Sequence, residues 1–320
     1  MRQILPYLAV VVAMLIWAGS GIAVKEALVV LMPLELVVVR FTMAIILMLS
    51  IGLLTNYLSR NRSRLSETPM LALQKLEPSD RWLFVLAGVF QPFLYFILET
   101  YTYKLFATPT IAEAFLSTNP LIAPIFALLF LRERSGLQTW LGIVVSTIGM
   151  LLLVLAGSGS FEVGNLWGVP LAIITVCMAA AYSILLRKIP GKYSSLTIVF
   201  WVQLVGLVLF YLIFTGQQLF DFIVNGATTC FNSLQSVDTD QLIRSLCGVG
   251  YLGIFSSVAA FILFCYSVRS IGVVTANIFN NIRPVFTALL MLCIFGEQLP
   301  LIKWIGIFVI ILGLFICQKH

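Results

Sequence analysis

The chain has 320 residues, 61% of them hydrophobic and 10% charged, with a mean hydropathy of +1.06 and a net charge of +6. A soluble globule of this length would leave far too much apolar surface in water, so the composition excludes one and marks an integral membrane protein. The excess positive charge forms no compact basic patch, so nucleic acid is not an expected partner and the lipid bilayer is.

A helix needs ~20 apolar residues to cross the hydrocarbon core, and the alternation of a β-barrel is absent, so the spans are helices. Apolar runs place ten of them at 5–24, 34–54, 82–103, 109–131, 137–156, 166–187, 195–214, 245–268, 273–295 and 301–317. The fold class is therefore all-α membrane protein.

Taken in chain order, Arg2 and the apolar run after it are read as a retained first span, because the run is longer than a usual signal core. Span two carries Glu35 and Arg40, which either pair within the helix or let Arg40 snorkel outward, in both cases a structural role. Residues 55–81 form a basic connector with a short surface helix around Pro69 to Lys75. Span three bears Gln91, Tyr95, Glu99 and Tyr103 at four-residue steps, a polar and aromatic stripe in which Glu99 is the candidate for function. On span four Glu113, Ser117, Pro120 and Pro124 share one helical face. Residues 215–244 are polar, either a solvated cap over a cavity or a plain connector.

Span nine holds the deepest ionisable group. Each charge at a helix centre costs about 2.5–3.5 kcal/mol on insertion scales, so such groups face a cavity or a partner. Arg283 sits mid-span with Asn280 and Asn277 one and two turns before it and Pro284 immediately after. A proline there breaks the backbone ladder, which is tolerated at membrane depth where the chain lines a water-filled space. Arg283 therefore either serves a cavity or is locked to a buried glutamate.

Pro120, Glu133, Trp140, Gly142 and Gly149 recur as Pro284, Glu297, Trp304, Gly306 and Gly313, each 164 residues on, with Ala112/Ala276 and Phe115/Phe279 in the same register. The chain is duplicated, 1–158 against 159–320. Five spans per half turn the second copy upside down in the membrane, the arrangement by which secondary transporters build a site at the bilayer midplane. With both termini in the cytoplasm, thirteen of the nineteen Lys and Arg fall on inside segments and four outside. The positive-inside rule favours that orientation in a cell membrane.

Catalytic signatures are missing: the only histidine is His320, and there is no phosphate loop, no Cys or His cluster with metal spacing and no Gly-x-Ser-x-Gly. No enzyme activity, cofactor or metal is expected. Cys177, Cys265, Cys293 and Cys317 lie inside spans as small apolar residues, and only Cys230 and Cys247 are placed to meet on an oxidising outer face. Glu133 and Glu297 lie in tight turns where a carboxylate caps the next helix, and Trp140 and Trp304 fit the interfacial aromatic belt.

The run Trp17-Ala18-Gly19-Ser20-Gly21 with Lys25, Pro33 and Arg40, then Asn119-Pro120-Leu121, Arg132-Glu133-Arg134 and Trp140-Leu141-Gly142, resembles the EamA-type transporters of the drug/metabolite transporter superfamily. Arg283-Pro284, Gly296-Glu297, Trp304-Ile305-Gly306 and Gly313 resemble the second domain of that family. The resemblance implies ten helices in two inverted five-helix repeats, a cavity bounded mainly by spans three, four, eight and nine, and alternating access that exports amino acids or other metabolites. The long 55–81 loop and the polar set Asn277, Asn280, Asn281 and Arg283 depart from the pattern. The expected substrate-binding set is Arg283, Asn277, Asn280, Tyr95, Glu99, Gln91, Glu113 and Ser117, with Pro120 and Pro284 breaking helices in the cavity. Protons are the expected coupling ion, carried by Glu99 in preference to Glu113. A multidrug-type cation exporter, a passive channel and an intramembrane enzyme are the competing readings.

Overall fold

A computed structural model describes residues 4–60, 71–106, 118–132, 136–155, 165–225, 238–295 and 300–318, together with Ala112, Phe115 and Leu116. The described residues form helices and turns with no strand. Seven helical stretches are long and apolar enough to cross a membrane: Leu5–Ala27, Pro33–Leu58, Arg81–Leu105, Gly168–Lys188, Ser195–Val224, Thr239–Ile271 and Val273–Ile294. Three shorter apolar helices, Asn119–Leu131, Leu137–Leu155 and Leu301–Gln318, complete the ten expected spans.

Local signals set several ends. Pro6 and Pro33 stand in the first turns of spans one and two, where no intrahelical N–H is missed. Glu35 accepts the Met32 N–H at 2.8 Å and so satisfies a donor at the start of its own helix rather than turning to Arg40. Gly272, at φ +87°, makes the tight turn between spans eight and nine that a side chain would strain.

The two polar connectors are shorter than the composition implies. Span two runs on to Arg60, and span seven continues as helix to Asn225 with Leu219, Phe220, Phe222 and Ile223 exposed along it. Residues Leu71 to Lys75 are not the expected surface helix. Residues 72–77 form an irregular strap whose polar groups are taken by Asn56 of span two and by residues at the start of span seven instead of by one another. Asn56 holds both the N–H and the carbonyl of Leu73, while Ser194 and Thr197 donate to the Ala72 carbonyl at 2.5 and 2.8 Å.

Spans five and ten pack antiparallel, and their duplicated glycines face each other. A Cβ on Gly142 would lie 2.5 Å from the Gly313 carbonyl oxygen, and one on Gly149 would lie 2.7 Å from that of Gly306. Because Gly142 corresponds to Gly306 and Gly149 to Gly313, these two contacts are images of one another, as a two-fold axis requires. Antiparallel packing of corresponding helices places that axis across the spans, which makes the repeats inverted.

The remaining spans interlock across the halves. Span one lies against span eight, where the Tyr251 hydroxyl donates to the Ile16 carbonyl at 2.7 Å and Ser267 to that of Pro6 at 2.8 Å. Spans six and seven pack on span three in the corresponding way. Both span three and span eight break from α-helical geometry at matching depth, as π-helical turns over Val89–Leu94 and Leu252–Ala260. Such turns interrupt the regular ladder of a helix and recur at functional sites.

Candidate functional site

At the centre of the bundle both halves line one narrow polar cavity of about 30 Å³, room for about two waters. Span three contributes Gln91, Tyr95 and Glu99, span nine contributes Asn280 and Arg283, and span four contributes Asn119. Spans three, four, eight and nine therefore bound it as expected, and spans one, two and six join them through Trp17, Arg40 and Ser183. Tyr103, the last member of the expected stripe, is fully buried in the apolar core around Phe106 and does not reach the cavity.

Gln91 enters because its backbone leaves the helix, at φ −150° and ψ 117°, ahead of Pro92. One helical turn on, the Tyr95 hydroxyl donates to Glu99 Oε1 at 3.0 Å, fixing the carboxylate in a site where it is 4% exposed. The other Glu99 oxygen lies 3.9 Å from the Arg40 guanidinium.

Arg40 is neither snorkelled nor paired along its own helix. It points inward, donates from Nε to Ser257 Oγ at 2.7 Å and from its terminal nitrogen to Ser256 Oγ at 2.8 Å, and stacks 4.3 Å over the Phe96 ring. Trp17 donates to the Ser256 carbonyl at 3.2 Å. The arginine is thus an anchor tying span two to spans three and eight, with its planar fork largely occupied. Neither arrangement read from sequence is formed: the partners of Arg40 are Glu99 on span three and two serines 216 and 217 residues away on span eight.

The other half of the cavity is an amide cluster. Asn119 donates to Asn277 Oδ1 at 2.6 Å, Asn280 donates to the Asn277 carbonyl at 3.0 Å, and Asn277 donates to the Val273 carbonyl at 2.8 Å. Asn281 turns away and donates to Ser146 on span five. Arg283 opens the helix that follows the 3₁₀ turn Phe279–Ile282, with Pro284 in its first turn. Pro120 occupies the matching place at the start of Asn119–Leu131. Both prolines therefore begin helices and break the ladder ahead of them, where Asn119 and Arg283 project. The Arg283 guanidinium lies 5.8 Å from the Trp17 ring, and the residue is 4% exposed.

Of the residues singled out by sequence, Arg283, Asn280, Gln91, Tyr95 and Glu99 line one cavity, and Asn277 is bonded directly to it. Glu113, Ser117, Glu133, Glu297 and Cys230 lie outside the described residues. Asn119 was missed as a site residue, though its signal was present: it is the repeat counterpart of Arg283. Arg40 carried the signal of a charge within a span, but its distant serine partners are silent in sequence.

Fold and cavity define a polytopic helical membrane protein built from two inverted repeats around a central polar site. The chain belongs to the EamA-like transporter family, whose profile matches twice, over residues 4–155 and 166–317. Among similar proteins, the uncharacterized transporter YetK of Bacillus subtilis is 27% identical over 66% of this chain, and an uncharacterized transporter of Clostridium kluyveri is 25% identical over 63%. The aligned part spans 60% and 61% of those relatives. The uncharacterized inner membrane transporter YedA of Escherichia coli is 24% identical over 97% of this chain and 90% of its own length. A crystal structure superposes with a TM-score of 0.71 over 98% of each chain at 18% identity, a likeness of fold.

Proposed function

We propose that the protein is a secondary active exporter of small polar metabolites, amino acids among them, working by alternating access from the cytoplasm across the plasma membrane with both termini inside. The observation that carries this reading is the central cavity built by both halves around buried guanidinium, carboxylate and amide groups. Buried charge in a span is costly and serves a pathway or a partner. Two arginines against one glutamate among the described lining residues favour a substrate bearing an anionic group over the lipophilic cation of a multidrug exporter. A space of about 30 Å³ is too small for an amino acid, so passage requires the halves to rearrange, which disfavours a static channel.

In this reading Arg283 receives the substrate carboxylate, because it lines the cavity beside the amide cluster and its planar guanidinium matches a carboxylate bidentately. Asn277, Asn280 and Asn119 hold the neighbouring polar groups. Glu99 is the proton carrier, exchanging its proton as the cavity faces either side, with Tyr95, Arg40 and Arg283 as the ionisable groups facing it.

The test is transport by purified protein in proteoliposomes, using a panel of labelled amino acids and metabolites. Accumulation against a gradient, driven by an imposed pH difference, is expected. Passive equilibration alone would mean a channel, and chemical conversion of the compound an enzyme. Orientation is tested with single cysteines at Ser79 and Thr239 in a background lacking native cysteines. An impermeant thiol reagent should label intact cells at Thr239 and spare Ser79.

A further inference from the structure

A second cavity lies away from the central site, at the end of the bundle that carries Arg187, Lys188, Lys192 and Arg269. It measures about 620 Å³ and is walled by Leu76, Phe84, Val85, Trp201 and Val205, with Lys75 and Arg81 on it. The wall is formed by the ends of spans three and seven, and the strap 72–77 closes one side. We propose that this groove is a binding site for an anionic glycerophospholipid, with Lys75 and Arg81 holding the phosphate and the apolar wall taking the start of an acyl chain.

The architecture fixes both halves of that occupant. Phe84 and Val85 stand in the first turns of a membrane span, and Val85 and the neighbouring Trp82 are exposed on the surface that hydrocarbon covers. Trp201 offers only its ring, because its indole N–H is spent on the Gln74 carbonyl at 3.0 Å. What covers such a wall in a bilayer is lipid. The strap that places Lys75 is itself immobilised: Gln74 receives the Ser194 N–H at 2.7 Å, donates to the Lys192 carbonyl at 3.1 Å and gives its own N–H to Thr197 at 3.0 Å.

Charge then selects the headgroup. The acidic residues nearest in sequence are committed elsewhere, since Glu77 and Asp80 bind Lys192 at 2.5 and 2.9 Å and Asp80 also accepts from the Tyr193 hydroxyl at 2.8 Å. Lys75 and Arg81 are both solvent-accessible and bracket the groove, six residues apart in sequence. Paired cations beside an apolar cleft between spans recognise a phosphodiester carrying a net negative charge, and a zwitterionic headgroup would bring its own cation against them.

Purified full-length protein should bind dioctanoyl phosphatidylglycerol saturably, about tenfold more tightly than dioctanoyl phosphatidylcholine, and gain melting temperature with it. Lys75→Gln combined with Arg81→Gln should abolish that preference without lowering the lipid-free melting temperature. If the double variant folds poorly, Lys75→Arg with Arg81→Lys should keep the preference. Val85→Trp, which fills the cleft, should weaken both lipids. Equal binding of the two lipids, or a preference that survives loss of both cations, overturns the site. Glycerol 3-phosphate binding as tightly as phosphatidylglycerol would show a bare anion site and overturn the lipid assignment.

Discussion

The interface of spans five and ten keeps the two-fold symmetry of the duplication, whereas the central cavity abandons it. At the interface Gly142 meets Gly313 and Gly149 meets Gly306, and each contact maps onto the other. In the cavity the repeat counterpart of Arg283 is Asn119, that of Glu99 is Leu263, that of Tyr95 is Ala259, and that of Ser256 is Pro92. Backbone breaks were retained on both sides, at the paired π-helical turns and the paired prolines, while the side chains they expose diverged. Duplication thus supplies a scaffold that two chemically different half-sites share. The substrate proposed above, asymmetric with one anionic end, matches such a site better than a symmetric one would.

The comparison can be broken at the asymmetric anchor. Removing Arg40 by Arg40→Ala leaves Glu99, Ser256 and Ser257 buried without it, and loss of one member of a buried charged pair costs about 3–5 kcal/mol. A large fall in melting temperature in detergent is expected, and Arg40→Met combined with Glu99→Gln should recover part of it. A stable Arg40→Ala protein would mean that the buried network does not hold span two to span eight.

A smaller effect tests the symmetric region. Gly149→Ala and Gly313→Ala, at positions related by the repeat, each drive a methyl against backbone of the facing helix, at 2.5 to 2.7 Å from its nearest backbone atoms, for a cost of about 1–3 kcal/mol by overpacking. The two variants should lose similar stability, because the contacts are images. Asn119→Ala and Arg283→Ala, also related by the repeat, should differ widely in transport. Equal transport defects in that second pair would contradict the asymmetry of the site.

How far this was readable in the sequence follows the same division. The constant offset of 164 identified the repeat, and an odd number of spans per half gave its inversion, because both are properties of spacing. Spans two and seven run past the expected ends at 54 and 214 to Arg60 and Asn225, since polar residues scattered among apolar ones do not stop a helix. The surface helix read around Pro69 to Lys75 is not formed over residues 72–75, because that stretch is held by partners at 56 and 192–201, remote in sequence. Arg283, Glu99 and the asparagines stood out as polar groups at membrane depth, which is a local signal. Arg40 did not reveal its place, because Ser256 and Ser257 acquire meaning only when span two meets span eight.

The smallest expected effect concerns the strap and its ionic clasp. Hydrogen bonds from Lys192 and Tyr193 hold the Asp80 carboxyl below its ordinary value of 3.8, and Glu77 and Asp80 raise the Lys192 ammonium above 10.5. A depressed carboxyl contributes stability above its ordinary value that is lost as pH falls, and a raised ammonium contributes below its ordinary value what is lost as pH rises. The clasp should therefore be indifferent to pH between those limits. Thiol labelling of Ala72→Cys should stay flat from mildly acidic to mildly alkaline buffer and rise modestly with Lys192→Ala. A steep pH dependence near neutrality would point to a different group holding the strap.

The most direct measurement is substrate affinity and melting temperature together on Arg283→Lys, Arg283→Gln and the double variant Arg283→Gln/Glu99→Gln. If Arg283 receives the anionic group of the substrate, lysine keeps charge without the bidentate fork and affinity falls about tenfold, or about 1.4 kcal/mol, at nearly unchanged melting temperature. Glutamine at 283 should nearly abolish binding, and adding Glu99→Gln should not restore it. Recovery of both stability and transport in the double variant would contradict the account, because Arg283 would then serve only to neutralise Glu99.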